Sequence, residues 1–141
     1  VKTIKNGNTV KWTQKGLKAG TYYKYYVIGY KTVNGKPVTI SRTANIHMPT
    51  TGKGLGYAKT LKLNKKKITI AKGKSAKIKA TVTYTNDNLR KHVPALRYLS
   101  SDKKIATVNS KGVIKGKKKG TCTIYCYTQN GLCKKVKVKV K

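Results

Sequence analysis

Glutamate is absent from this chain, and aspartate occurs only at positions 87 and 102, against 34 lysines and arginines. Glycoside hydrolysis by paired carboxylates would have to use Asp87 and Asp102 alone. A calcium loop needs several carboxylates and cannot be supplied. Histidine occurs only at His47 and His92, in separate regions of the chain. Neither sits with a nucleophile and an orienting group in the way nucleophilic catalysis requires. Both read as surface histidines, and no catalytic residue is expected. Phenylalanine is missing, with a single Trp and a single Met. A deep aliphatic core is therefore excluded, whereas a thin sandwich about 10 Å thick is not. No apolar run approaches the roughly 20 residues of a membrane helix, so membrane insertion is not expected.

Cysteine is also scarce. Three residues, Cys122, Cys126 and Cys133, allow at most one internal disulfide. Four residues apart on one strand, Cys122 and Cys126 lie about 13 Å apart, too far to bridge. Cys126 and Cys133 flank the Asn130-Gly131 turn, a separation that permits a bridge without requiring one. No fourth ligand lies close in sequence to complete a zinc site, so neither metal nor cofactor is expected. The two strand cysteines read as small buried hydrophobes.

What the chain does have is charge and alternation. The formal net charge is +32 over 141 residues. Such a chain repels itself most strongly at low salt. The basic residues are distributed, nine in residues 1–50 and twenty-three in residues 61–141, and they alternate with Val, Ile and Thr. Alternation with period two is the mark of a half-buried strand, not of a disordered basic tail. Lys77–Val82, Thr121–Tyr127 and Lys135–Lys141 each repeat it over several cycles. Turn signals punctuate the chain at Asn34-Gly35, Lys72-Gly73, Lys111-Gly112 and Asn130-Gly131. Many short strands with regular turns predict an all-β sandwich. The Gly-rich stretch around residues 51–59 reads as a linker between segment 1–50 and domain 60–141.

Within the second region, "LNKKKITIAKGKSAKIKATV", "LRYLSSDKKIATVNSKGVIKGKKKGTCTIYC" and the closing Val-Lys strand resemble the bacterial immunoglobulin-like domains of group 2. The resemblance spans about 80 residues in order. It implies an immunoglobulin-like β-sandwich and an extracellular setting, because such domains serve as stalks or presenting modules in adhesins, surface-layer proteins and cell-wall enzymes. The family usually carries Trp where Tyr98 stands, and a tyrosine there needs a partner for its hydroxyl or access to water. In the first region, Leu17, Gly20, Thr21 and Tyr23 are similar to the Leu-x-x-Gly-Thr-x-Tyr corner of a fibronectin type III domain, in which the Tyr hydroxyl bonds back to the chain. That resemblance covers only the C-terminal half of such a module and implies a partial sandwich. Tyr25, Val27 and Gly29 would continue its inward face, and Ser41 to Met48 would form its final strand. Half a sandwich exposes its inner face. The chain begins at Val1 inside what reads as a strand, so either earlier residues complete it or a second copy does, as a strand-exchanged dimer.

The most distinctive local feature is a face of the last strands. Lys135, Lys137 and Lys139 repeat at about 7 Å steps on one side of their strand, beside Tyr125 and Tyr127 of the preceding strand, with Arg97 on the same sheet. Basic residues interleaved with tyrosine hold anionic chains by charge and by stacking. The alternative is that lysines simply protect an exposed sheet from edge-to-edge association. The expected function is a non-catalytic structural or adhesive module of a secreted or surface-anchored Gram-positive protein, its basic coat meeting anionic cell-wall polymer or an acidic glycan. The other readings are a dedicated binding module for acidic polysaccharide or nucleic acid, and the accessory C-terminal tail of a secreted hydrolase. Asp102, following Ser100 and Ser101, is expected to cap its own turn.

Overall fold

A computed structural model describes residues 2–52, 54–86 and 94–141. Strands and no helix occur among those residues. Asp87 and His92 lie outside them, so the readings made for these two residues find no structural counterpart.

Residues 58–140 form a two-layered immunoglobulin-like sandwich. One layer is a four-stranded sheet ordered β6 (Lys67–Ile70), β13 (Cys133–Val140), β12 (Gly120–Thr128), β9 (Leu96–Ser100). The other contains β10 (Ala106–Val108), β11 (Val113–Gly116) and β7 (Ser75–Lys77), together with the ladder of β5 (Ala58–Leu63) and β8 (Ala80–Tyr84). Ala58 and Lys59, from the stretch that reads as linker, are the first residues of β5.

The first strand of the sandwich is split, and the split has a structural purpose. Its first half, β5, pairs antiparallel with β8; its second half, β6, runs parallel to β13. One short run therefore stitches both layers together. The Lys77–Val82 alternation is also divided. Between β7 and β8 the chain turns at Ile78 and Lys79, where the Ile78 N–H donates to the Gly112 carbonyl at 2.9 Å. Asn64 receives the Lys79 N–H on its side-chain oxygen at 2.9 Å. The inward sense survives the break: Ile78 is buried, Ala76, Ala80 and Val82 are half-buried, and Lys77, Lys79 and Thr81 are exposed.

The core lies between the layers. Ile68, Ile70, Ile78, Ile114, Ile124, Val136, Val138 and Val140 fill it, with Ala106 and Cys122. Each large aliphatic side chain withdrawn from water contributes about 1.5–3 kcal/mol, and the chain compensates for its missing Phe by using β-branched residues on nearly every inward position. Tyr98 packs on the edge of this cluster.

The N-terminal segment is built differently. β1 (Tyr22–Tyr25) pairs with β4 (Ile46–Pro49), and β2 (Ile28–Val33) with β3 (Lys36–Arg42). The β2–β3 hairpin turns at Asn34 and Gly35, with φ of 49° and 73°, the left-handed pair that a tight two-residue hairpin requires. The expected continuous strand through Tyr25, Val27 and Gly29 is interrupted before β2, and Val27 is 67% exposed. The expected final strand is likewise broken at residues 43–45, where Thr43 clasps Val27 by two hydrogen bonds of 2.9 Å. Not one residue described before Leu55 is buried.

Candidate functional site

The pleat of β12 and β13 sorts side chains to two sides. Cys122, Ile124, Cys126 and Thr128 go inward with Val136, Val138 and Val140. Thr121, Thr123, Tyr125, Tyr127, Lys135, Lys137 and Lys139 go outward, and the register joins them: Thr121 faces Lys139, Thr123 faces Lys137, and Tyr125 faces Lys135. On the other flank of β12, Tyr127 faces Arg97 and Tyr125 faces Leu99. The structure thus brings Arg97, Tyr125, Tyr127, Lys135, Lys137 and Lys139 onto one sheet face.

Their geometry is specific. The Tyr125 and Tyr127 rings lie 6.1 Å apart and within 18° of parallel. Lys135 Nζ sits 5.6 Å from the centre of the Tyr125 ring, within reach of a cation–π attraction. Leu99 is 47% exposed beside them. Arg97 is half-buried against Tyr127, and among the described residues its Nε is a buried side-chain donor with no hydrogen-bond partner. Desolvation pulls the Arg97 guanidinium below its ordinary pKa, against the opposing influence of Tyr127. Burial pushes the Tyr127 hydroxyl up. At the far end of the face, Lys119, Thr121, Lys139 and Lys141 wall an open cavity of about 360 Å³.

Two parts of this face escape sequence reading. Lys67 and Thr69 join it because β6 runs parallel to β13, placing Lys67 opposite Lys137 and Thr69 opposite Lys139. The cavity arises where the β11–β12 connection meets the last residues of β13. Both depend on pairing between distant segments; the alternating Lys67-Ile68-Thr69-Ile70 was the only local hint.

The remaining residues take structural parts. Tyr98 lies opposite Cys126 in the β9–β12 register. Burial raises the Cys126 thiol to about 11 and the Tyr98 hydroxyl to about 12. Against the Tyr98 ring lies Gly112, with φ of 74°; a Cβ there would stand 3.0 Å from the tyrosine oxygen and 2.9 Å from the Ile78 carbonyl. All three cysteines are free. Cys126 points into the core while Cys133, facing Tyr127, is exposed, so the strand pleat sends the two thiols to different sides. Asp102 accepts the Lys104 N–H at 2.8 Å, closing its own turn. In the first segment, the Lys18 N–H donates to the Tyr23 hydroxyl at 2.8 Å, and Leu17 is half-buried. His47 is half-buried, not solvated: β4 lies along the sandwich, its N–H donating to the Gln129 carbonyl at 2.8 Å. Among the described residues there is no group of three or more His, Cys, Asp or Glu able to hold a metal ion, and no helix long and apolar enough to cross a membrane.

Two β layers closed by β5–β8 and β6–β13, with a half-buried tyrosine against a left-handed glycine at the edge of the core, define an immunoglobulin-type module. The chain belongs to the bacterial Ig-like domain (group 2) family, whose model matches residues 57–140. It is 41% identical over 71 residues to a kappa-carrageenase of Pseudoalteromonas carrageenovora, an alignment that covers 50% of this chain and 17% of that protein. Domains 4 and 5 of the S-layer protein SbsC superpose with a TM-score of 0.50 at 17% identity, over 84% of this chain and 75% of theirs. A longer SbsC structure gives 0.51 at 20% identity, covering 91% of this chain and 21% of that one. At such identities the structural likeness speaks for fold alone.

Proposed function

We propose that this chain is a non-catalytic structural and adhesive module of a secreted or cell-surface protein of a Gram-positive bacterium, a spacer whose basic sheet face holds anionic cell-wall polymer. The observation that carries this reading is the outer face of β9, β12, β13 and β6, where lysines, an arginine and two tyrosines share one surface. Anionic polymer bound there releases counterions, so attachment weakens steeply with salt. Membership of the bacterial Ig-like domain (group 2) family supports the location. The spacer role is supported by the docking of β4 against the sandwich: the His47–Gln129 hydrogen bond and Ile46 lying over Gly131. These contacts restrain the joint.

We read residues 1–50 as the second half of a fibronectin type III-like unit, on the strength of the Lys18–Tyr23 corner bond. Segment 51–59 then joins it to domain 60–141. A strand-exchanged dimer would complete the half-unit, although a net charge of +32 on each copy opposes that association.

A second reading, an accessory tail of a secreted hydrolase, is favoured by the match to part of a kappa-carrageenase. The test of the principal reading is retention of the chain on purified Gram-positive wall, with and without teichoic acid, across a salt series. Retention that requires teichoic acid and fades with salt supports a wall anchor. Absence of retention even at low salt would leave only a spacer.

A further inference from the structure

The outer face is not uniform, and its two ends offer different chemistry. At one end Tyr125 and Tyr127 form a nearly parallel, stacked aromatic pair, bordered by Lys135 and by an Arg97 whose buried Nε has no partner among the described residues. At the other end three lysines surround the open cavity. Six residues of β12 separate Tyr127 from Thr121, on the order of 20 Å of strand. A diffuse positive coat requires neither the stacked pair nor an unsatisfied donor at its edge. Keeping Arg97 Nε buried and unpaired costs stability unless something accepts from it. An incoming anionic oxygen would relieve that cost once the side chain shifts to uncover the Nε.

We propose that this face is a binding track for an acidic polysaccharide, several sugars long. A sugar ring lies against the Tyr125–Tyr127 pair, its acidic group is taken by Arg97 and Lys135, and later acidic groups run along Lys137 and Lys139 into the lysine-walled cavity. This inference rests on the reading of the face as a contact for anionic polymer, and names the class of polymer. Charge complementarity argues for an anion. The hydroxyls of Thr121 and Thr123 along the middle of the track argue for a hydroxyl-rich chain, whose hydroxyls can both donate to and accept from them, whereas phosphate oxygens only accept. Nucleic acid shares the electrostatics and is the competing outcome.

The experiment measures binding of the full chain, at low and at moderate salt, to polygalacturonate, to a neutral glycan of similar length, and to a single-stranded oligonucleotide. Each is repeated with the double variant Tyr125→Ala/Tyr127→Ala and with Tyr125→Leu/Tyr127→Leu, which keeps apolar bulk without the aromatic faces. Both variants preserve net charge. The expected result is binding of polygalacturonate but not the neutral glycan, weakened roughly tenfold by loss of ring stacking. Equal binding by wild type and variants would overturn the track while leaving an electrostatic contact in place. Tighter, tyrosine-dependent binding of the oligonucleotide would overturn the polysaccharide assignment. No binding of either anion at low salt would overturn both this inference and the reading beneath it.

Discussion

Tyr98, half-buried at the edge of the core, lies directly opposite the fully buried Cys126 in the β9–β12 register. The resembling family places Trp at this position, and a tyrosine brings a polar tip into the core. The thiol, itself an unusual occupant of an inward strand position, lies across the ladder from it.

That pair has a consequence in alkali. Folding raises Cys126 from 9.0 to about 11 and Tyr98 from 10.0 to about 12, chiefly by burial. Both groups stay protonated in the folded state after the unfolded chain has lost its protons. Their contribution to stability is therefore full below pH 9 and is lost as pH rises through 11 and then 12. Each pH unit over which one proton leaves only the unfolded chain costs about 1.4 kcal/mol. Thermal unfolding from pH 8 to 11 should fall less steeply in Cys126→Ala than in wild type. Parallel curves would show that the thiol is not held neutral by burial.

Gly112 is required by two facts at once, a φ of 74° and the approach of Tyr98 and Ile78. Gly112→Ala should destabilise the sandwich by about 1–3 kcal/mol, with Tm falling by roughly 4–8 °C per kcal/mol. Calorimetry checks this. An unchanged Tm would mean that the β10–β11 turn relaxes freely.

Every buried apolar side chain described lies between Ala58 and Val140, whereas exposed large hydrophobics such as Trp12, Val27, Ile28, Val38, Ile40 and Met48 concentrate before residue 50. Deleting residues 1–56 should therefore leave a cooperatively unfolding sandwich and reduce binding of a hydrophobic dye. Loss of cooperative unfolding would show instead that the first segment is integral to the core.

The pattern of legibility follows from range. β13 was readable because each Val and Lys declares its side locally, and so was the gathering of Lys135, Lys137, Lys139, Tyr125 and Tyr127, given that β12 and β13 form a hairpin. Arg97 followed from the resemblance. The break at Ile78–Lys79 was not readable, since it depends on Gly112 and Asn64 reaching across from elsewhere. Nor was the lysine-walled cavity, or the addition of Lys67 by a parallel pairing 70 residues away in register. In residues 1–50 the corner at Tyr23 closes locally, but the extended inward face failed: a strand without a packed partner layer has nothing to hold Val27 in line.

The central claim is that one face of the sandwich, not the whole basic coat, carries anionic polymer. The direct measurement is the salt dependence of binding to purified teichoic acid for two triple variants of equal charge. One neutralises Lys135, Lys137 and Lys139 to Gln; the other neutralises Lys62, Lys77 and Lys115, exposed on the opposite layer. The first should weaken binding and flatten the log–log salt slope by roughly 2–3, at about 0.7–0.9 per charge, while the second leaves both nearly unchanged. Equal losses in the two variants would contradict the account and make the charge a general coat.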